Sequence, residues 1–161
     1  MNKVLFLKTA TRNDSTSLAD WQALQDMVAN YLVGHHEIEV AALSDLAYLA
    51  DGKNSKIWQP AKGWDISDFD LVIFRMVGEE LEKAIAAAHY LNQRGVRFID
   101  SYLLTLGKGK LAGAFLRSAN NLPVPKTFFG RKAVYKQVFS GSQPFCYPFV
   151  LKSDNGRKGR D

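Results

Sequence analysis

Leu71-Val72-Ile73-Phe74-Arg75 decides the fold. Four consecutive apolar residues ended by a cation suit a strand covered on both faces, the kind that fills the middle of a parallel sheet. Downstream, Leu81, Ile85, Ala88 and Leu91 recur at helical spacing, and Gly95 is placed to stop that helix. Val96 to Ile99 then reads as another strand. Upstream, Val4-Leu5-Phe6-Leu7 is a second buried run, and Ser17 with Asp20 opens a helix carried by Leu18, Trp21, Leu24, Val28 and Leu32, with Gly34 as its stop. Ile38 to Leu43 follows as a strand. Strand, helix, strand, repeated on both sides of an intervening stretch, predicts an α/β protein built on a four-stranded parallel sheet.

That intervening stretch, residues 44–68, carries a weaker signal. Ser44 to Ala50 is expected as a short helix, and Lys53 to Asp68 as an irregular excursion. Asp100-Ser101 are good N-cap residues for a further helical segment, and Lys108 to Ala119 is helical in pattern. Leu122-Pro123-Val124-Pro125 interrupts the chain and introduces Lys126 to Phe129 as an edge strand. Ala133 to Phe139 is expected as a short helix and Pro148 to Lys152 as a final strand. Residues 120–125 are the expected boundary between a domain at 1–120 and a second unit at 121–161.

Composition narrows the class. The chain has 161 residues, 47% hydrophobic and 23% charged, which is ordinary for a globular protein. Cys146 is the single cysteine, so no intramolecular disulfide framework and no cysteine-based zinc site are expected. No apolar run approaches the ~20 residues of a membrane span. No signal-peptide pattern follows Met1, so a soluble cytoplasmic protein is expected. The net charge of +5 is uneven: residues 1–100 carry ten Lys and Arg against fourteen Asp and Glu, and residues 101–161 carry eleven against two. A basic tail attracts a polyanion, whether nucleic acid, acidic membrane or nucleotide phosphates.

Gly107-Lys108-Gly109-Lys110-Leu111-Ala112 satisfies the dinucleotide pattern G-x-G-x-x-A, but it lacks the preceding strand and the acidic residue about 20 positions later. A nicotinamide-type site is therefore not expected. A longer constellation is more specific. Lys110 begins a helical run, Leu122 to Thr127 forms a proline-marked link, Lys152 ends an apolar run, and Ser153 to Asp161 carries Gly156 and Gly159. A lysine at a strand end projects a fixed charge beyond the sheet, and a glycine loop after it can offer backbone N–H groups to phosphate oxygens. Arg75 stands where α/β folds place ligand groups; it suits a substrate carboxylate, and pairing with Glu79 or Glu80 suits it equally.

These residues resemble the ATP-grasp superfamily, and the strand–helix pattern before them resembles its Rossmann-like pre-ATP-grasp domain. The resemblance implies an α/β protein with a Rossmann-like parallel sheet followed by an incomplete ATP-grasp subdomain. It implies ATP-dependent joining of a carboxylate to an amine through an acylphosphate. Lys110, Lys152, Ser153, Gly156 and Gly159 would contact ATP, and Arg75 the substrate. ATP, a carboxylate and amine substrate pair and Mg²⁺ are the implied ligands, and a homo-oligomer is compatible with them. In the family the metal ligands lie downstream of the glycine loop, so the chain is expected to be the N-terminal portion of a ligase, without catalysis of its own. Two other readings stay open: a nucleic-acid or protein binding module that uses the basic region, and a degenerate pseudo-ligase.

Overall fold

The computed structural model describes residues 2–9, 34, 36–107 and 109–141, the separate positions Ala19, Gln22, Ala23, Asp26, Met27 and Asn30, and Phe145 and Val150. The expected first helix is represented by those six separate positions, all helical. Strands β1 (Asn2–Lys8), β2 (His36–Ala42), β5 (Leu71–Arg75) and β6 (Arg97–Ile99) form one sheet in the order β2-β1-β5-β6, and all its pairings are parallel. The two continuous apolar runs, in β1 and β5, are the central pair, as strands buried on both faces must be.

Register sorts their side chains into two rows. Leu5 and Leu7 of β1, Val72 and Phe74 of β5 and Ala41 of β2 belong to the large core. Val4 and Phe6 pack on the opposite face with Ile38, Val40, Leu71 and Ile73. Alternation of side chains along each strand puts Lys8 in the row of Val4 and Phe6, and Arg75 in the row of Leu71 and Ile73.

Helix α1 (Leu81–Arg94) links β5 to β6 and completes a β-α-β unit. Ala84, Ala86, Ala87 and Ala88 bury small side chains around Ile85 and Leu91, which lets helix α2 (Lys110–Ala119) approach closely. Gly95 ends α1 at φ 70°, and its amide donates to Asn92 and Leu91 carbonyls, the left-handed stop that only glycine adopts cheaply.

The stretch 44–68 differs from its expectation. A 3-10 turn at Leu43–Asp45 leads into strand β3 (Ala47–Ala50), and Lys56–Trp58 forms strand β4. With β7 (Thr127–Phe129) they make a second, antiparallel sheet in the order β4-β3-β7. The helical expectation for Ser44–Ala50 fails because β3 is the central strand, hydrogen-bonded on both edges, with Ala47, Tyr48 and Ala50 fully buried. Lys126–Phe129 is the expected edge strand, shortened by one residue. β7 lies after residues 120–125 in sequence and pairs with β3, which lies before them.

Helix α3 (Lys132–Gly141) extends the short helix expected there, and Val134 packs with Phe128 and Ala47. Asp100 does not cap the turn that follows it through its side chain; it takes a left-handed backbone at φ 85° instead. The 3-10 turn at Ile66–Asp68 has a full capping box, with Asp65 accepting from Ser67 N and Asp68 accepting from Asp65 N. Asp65 also accepts from Tyr90 Oη at 2.9 Å, which ties that turn to α1. Among the described residues no helix is long and apolar enough to cross a membrane.

Candidate functional site

In an open parallel sheet, ligands bind beyond the carboxyl ends of the strands, where neighbouring connections leave in opposite directions. From β1 the chain moves to β2 on one side, and it later enters β5 on the other, so that point lies between β1 and β5. The last register pair of these two strands is Lys8 with Arg75. Both belong to the same row, so two cationic side chains leave the same face of the sheet on adjacent strands. Beside them in β2 stands Ala42, which adds little bulk.

The two cations differ in setting. Lys8 is 4% exposed, a low value for an ammonium-bearing side chain. Arg75 is exposed, and among the described residues no hydrogen bond or ion pair engages its guanidinium. Of the two acids that the sequence offered as its partners, Glu80 is bonded to Lys83 at 2.7 Å. Glu82, two residues further, accepts from the amides of Leu111 and Ala112 in α2.

The chain just past Arg75 is held in a restricted conformation. Met76 has φ 54°, a left-handed value that costs a bulky residue about 1–3 kcal/mol. Its carbonyl accepts from Thr9 N at 3.2 Å, so the exits of β1 and β5 are tied to each other directly. Such strain persists where surrounding structure imposes it, and it is concentrated at binding sites. Lys8 was the residue that sequence reasoning overlooked. Its signal was available, because it continues the apolar row of Val4 and Phe6 with a charge where an apolar residue would suit.

Lys110 is the exposed first residue of α2. The helix start that it opens holds an anion, and the anion is the protein's own. Glu82 Oε1 accepts from Leu111 N at 2.8 Å and from Ala112 N at 3.4 Å. Gly109 has φ 98°, and a Cβ there would lie 2.0 Å from Glu82 Oε1, so the glycine is required twice over. The Leu111 and Ala112 amides are thus engaged by a carboxylate of the protein itself. Because Glu82 lies in the first turn of α1, directly after the exit of β5, this contact also brings Lys110 to the carboxyl-end side of the sheet.

No family model, curated protein or solved structure matches the chain.

Lys152, Ser153, Gly156 and Gly159 lie outside the described residues, as do Cys146 and His35. His36 opens β2. His89 is buried in α1, and burial lowers its pKa from the usual 6.5. Its Nε2 and the Oγ of Ser118 on α2 have no hydrogen-bond partner among the described residues. His89 therefore belongs to the packing between helices. Among the described residues no group of three His, Cys, Asp or Glu side chains could hold a metal ion. The described residues thus supply no such cluster for Mg²⁺.

Proposed function

We propose that this chain is the N-terminal, substrate-binding part of an ATP-dependent carboxylate–amine ligase of ATP-grasp type, with its parallel sheet as a Rossmann-like pre-ATP-grasp domain. The observation that carries the reading is a convergence. The Glu82 bond to Leu111 N holds the start of α2, and with it Lys110, on the same side of the molecule as the strand exits that bear Lys8 and Arg75. A phosphate-directed lysine and a carboxylate-directed arginine on one side suit a reaction that joins ATP to a carboxylate.

In that reaction a carboxylate oxygen attacks the γ-phosphorus of ATP, the bond to the β-phosphate oxygen breaks, and ADP leaves. An amine nitrogen then attacks the acylphosphate carbonyl, loses a proton and expels inorganic phosphate. Most of the catalytic requirement in phosphoryl transfer is positioning and charge stabilisation. Lys110 and Lys152 would hold the α- and β-phosphates, and Ser153 to Asp161, with Gly156 and Gly159, would cover the γ-phosphate. The basic balance of residues 101–161 is the charge such a triphosphate needs.

Isothermal titration of ATP with Mg²⁺ into the chain tests this. Saturable binding, weakened at least tenfold by Lys110→Ala and by Lys152→Ala, is expected. Affinity unchanged by either substitution removes the lysine assignment. Oligonucleotide binding with a steep salt dependence and no ATP binding replaces the reading with the nucleic-acid one.

A further inference from the structure

We infer that Glu82 and Gln93 of α1 are positioning residues that clamp α2 at both ends and so fix where Lys110 stands. The clamp follows from the geometry; only the statement that Lys110 serves ATP rests on the ligase reading.

Helix α2 does not secure its own start. A helix leaves its first amides without partners in the helix, and a Ser, Thr, Asp or Asn at the N-cap is the usual remedy. The N-cap of α2 is Gly109, which has no side chain, and the first turn carries no acid. The missing acceptor comes from another helix. Glu82 Oε1, in the first turn of α1, accepts from Leu111 N and Ala112 N. The same carboxylate fills the space that a Cβ of Gly109 would take. Lys110 lies between Gly109 and Leu111, so both of its chain neighbours meet one side chain.

At the far end the pattern repeats with opposite polarity. Gln93, in the last turn of α1, donates from Nε2 to the carbonyl oxygen of Ser118, in the last turn of α2, at 3.1 Å. First turn meets first turn and last meets last, so the two helices run side by side in one direction. Parallel helix dipoles repel each other, and a carboxylate seated at both positive ends offsets that repulsion. Leu111, Ala112, Ala114 and Phe115 of α2 are buried between the two polar contacts. Apolar burial is non-directional, whereas hydrogen bonds at both ends select one register and one rotation. Lys110 is exposed at the head of a helix held in this way, and a fixed backbone reduces the ordering that phosphate binding requires of it.

The full ¹⁵N-labelled chain is compared with its Glu82→Gln, Glu82→Ala, Gln93→Leu and Lys110→Ala variants. Order at Lys110 is read from its backbone amide NOE and from hydrogen exchange at Leu111 and Ala112, and ATP–Mg²⁺ affinity from calorimetry. In Glu82→Ala the two amides should exchange about tenfold faster and the Lys110 NOE should fall. ATP should then bind about fivefold more weakly. Glu82→Gln keeps a side-chain carbonyl for the same amides and should stay within about twofold of the unchanged chain. Adding Glu82→Ala to Lys110→Ala should weaken ATP no further, because Glu82 acts through Lys110. Gln93→Leu, which removes the donor at the other end, should lower ATP affinity about twofold. Where circular dichroism shows Glu82→Ala unfolded, Glu82→Asp keeps the charge, withdraws it by one methylene and should loosen Lys110 in the same way; an unchanged Lys110 NOE there overturns the clamp.

ATP bound equally well or more tightly in Glu82→Ala overturns the clamp, tighter binding meaning that the carboxylate acts only as a charge near the phosphates. Glu82→Gln as weak as Glu82→Ala, or a further loss in the double variant, overturns it too. Unchanged affinity in Gln93→Leu overturns the Gln93 end. Where the unchanged chain binds no ATP, the ligase reading is removed; the clamp stands if Lys110 loosens in Glu82→Ala and holds in Glu82→Gln, and falls otherwise. ATP binding that Glu82→Ala leaves untouched, with Lys110 still ordered, keeps the ligase reading and removes the clamp.

Discussion

Cations at the ends of the two sheets are held differently, although the amino end of the parallel sheet has its own pair, Lys3 with Glu37. Around the antiparallel sheet, basic side chains are matched with acids: Lys126 Nζ lies 3.4 Å from Asp51, just past β3, and Arg131 pairs with Asp45, just before it. At the carboxyl ends of the parallel sheet, Lys8 and Arg75 stand together, and Arg75 has no partner among the described residues. The aromatic residues follow the same division. Phe128 meets Tyr135 and Phe139 edge-on beside β7, and those two stack on each other and close that corner, whereas the strand ends at Lys8 and Arg75 end in charge. Internal neutralisation marks a region that holds the fold together. Arg75 contributes no such pairing among the described residues.

That contrast can be broken by substitution, beginning where both regions depend on one side chain. Phe115 of α2 touches Tyr48 of β3 edge-on at 6.3 Å and Tyr90 of α1 at 6.2 Å, so it joins the antiparallel sheet to the helix behind the parallel one. Phe115→Ala should cost about 3–5 kcal/mol, read as a loss of urea midpoint. Loss of one region's signal while the other stays native would show two independently stable cores.

A smaller effect is expected at the helix start. Gly109→Ala combines a left-handed backbone with a collision against Glu82, and should cost about 1–3 kcal/mol. Glu82→Ala, which uncovers the amides of Leu111 and Ala112, should cost about 1–2 kcal/mol by the same denaturation measurement. In the Glu82→Ala background, the collision part of the Gly109→Ala penalty should disappear.

pH acts through the helix interface. Burial lowers the His89 pKa below 6.5, so at mildly acidic pH the unfolded chain binds a proton that the folded chain refuses. The stability that neutral His89 contributes is present above pH 6.5 and is lost as pH falls below it. Urea midpoints taken from pH 7.5 to 5.5 should therefore decline, and the decline should be shallower in His89→Leu.

The smallest effects sharpen the comparison itself. Arg131→Ala, which breaks an exposed ion pair, should cost less than about 1 kcal/mol. Arg75→Ala should cost still less, because no partner among the described residues is lost. A stability loss at Arg75 larger than that at Arg131 would mean that Arg75 serves the fold.

The parallel sheet could be read in the sequence because its central strands are covered on both faces and so appear as unbroken apolar runs at Val4–Leu7 and Leu71–Phe74. The helix between β5 and β6 was legible for a similar reason, with Gly95 as an unambiguous stop. The antiparallel sheet was hidden. Ala47-Tyr48-Leu49-Ala50 has the local propensity of a helix, and its strand state depends on pairing with Phe128 and Phe129, far along the chain. Asp100 had the residue type of a cap and the backbone of something else. Arg75 was visible as a charge ending an apolar run; Lys8 ended one too, and its importance emerged only when register set the two side by side. The Glu82 contact was beyond sequence reasoning, since it joins residues separated by 29 positions.

The most direct measurement is a crystal structure of the chain grown with ATP and Mg²⁺. Triphosphate density beside Lys110 is the predicted result. Clear density for Lys110 with no triphosphate beside it would contradict the account.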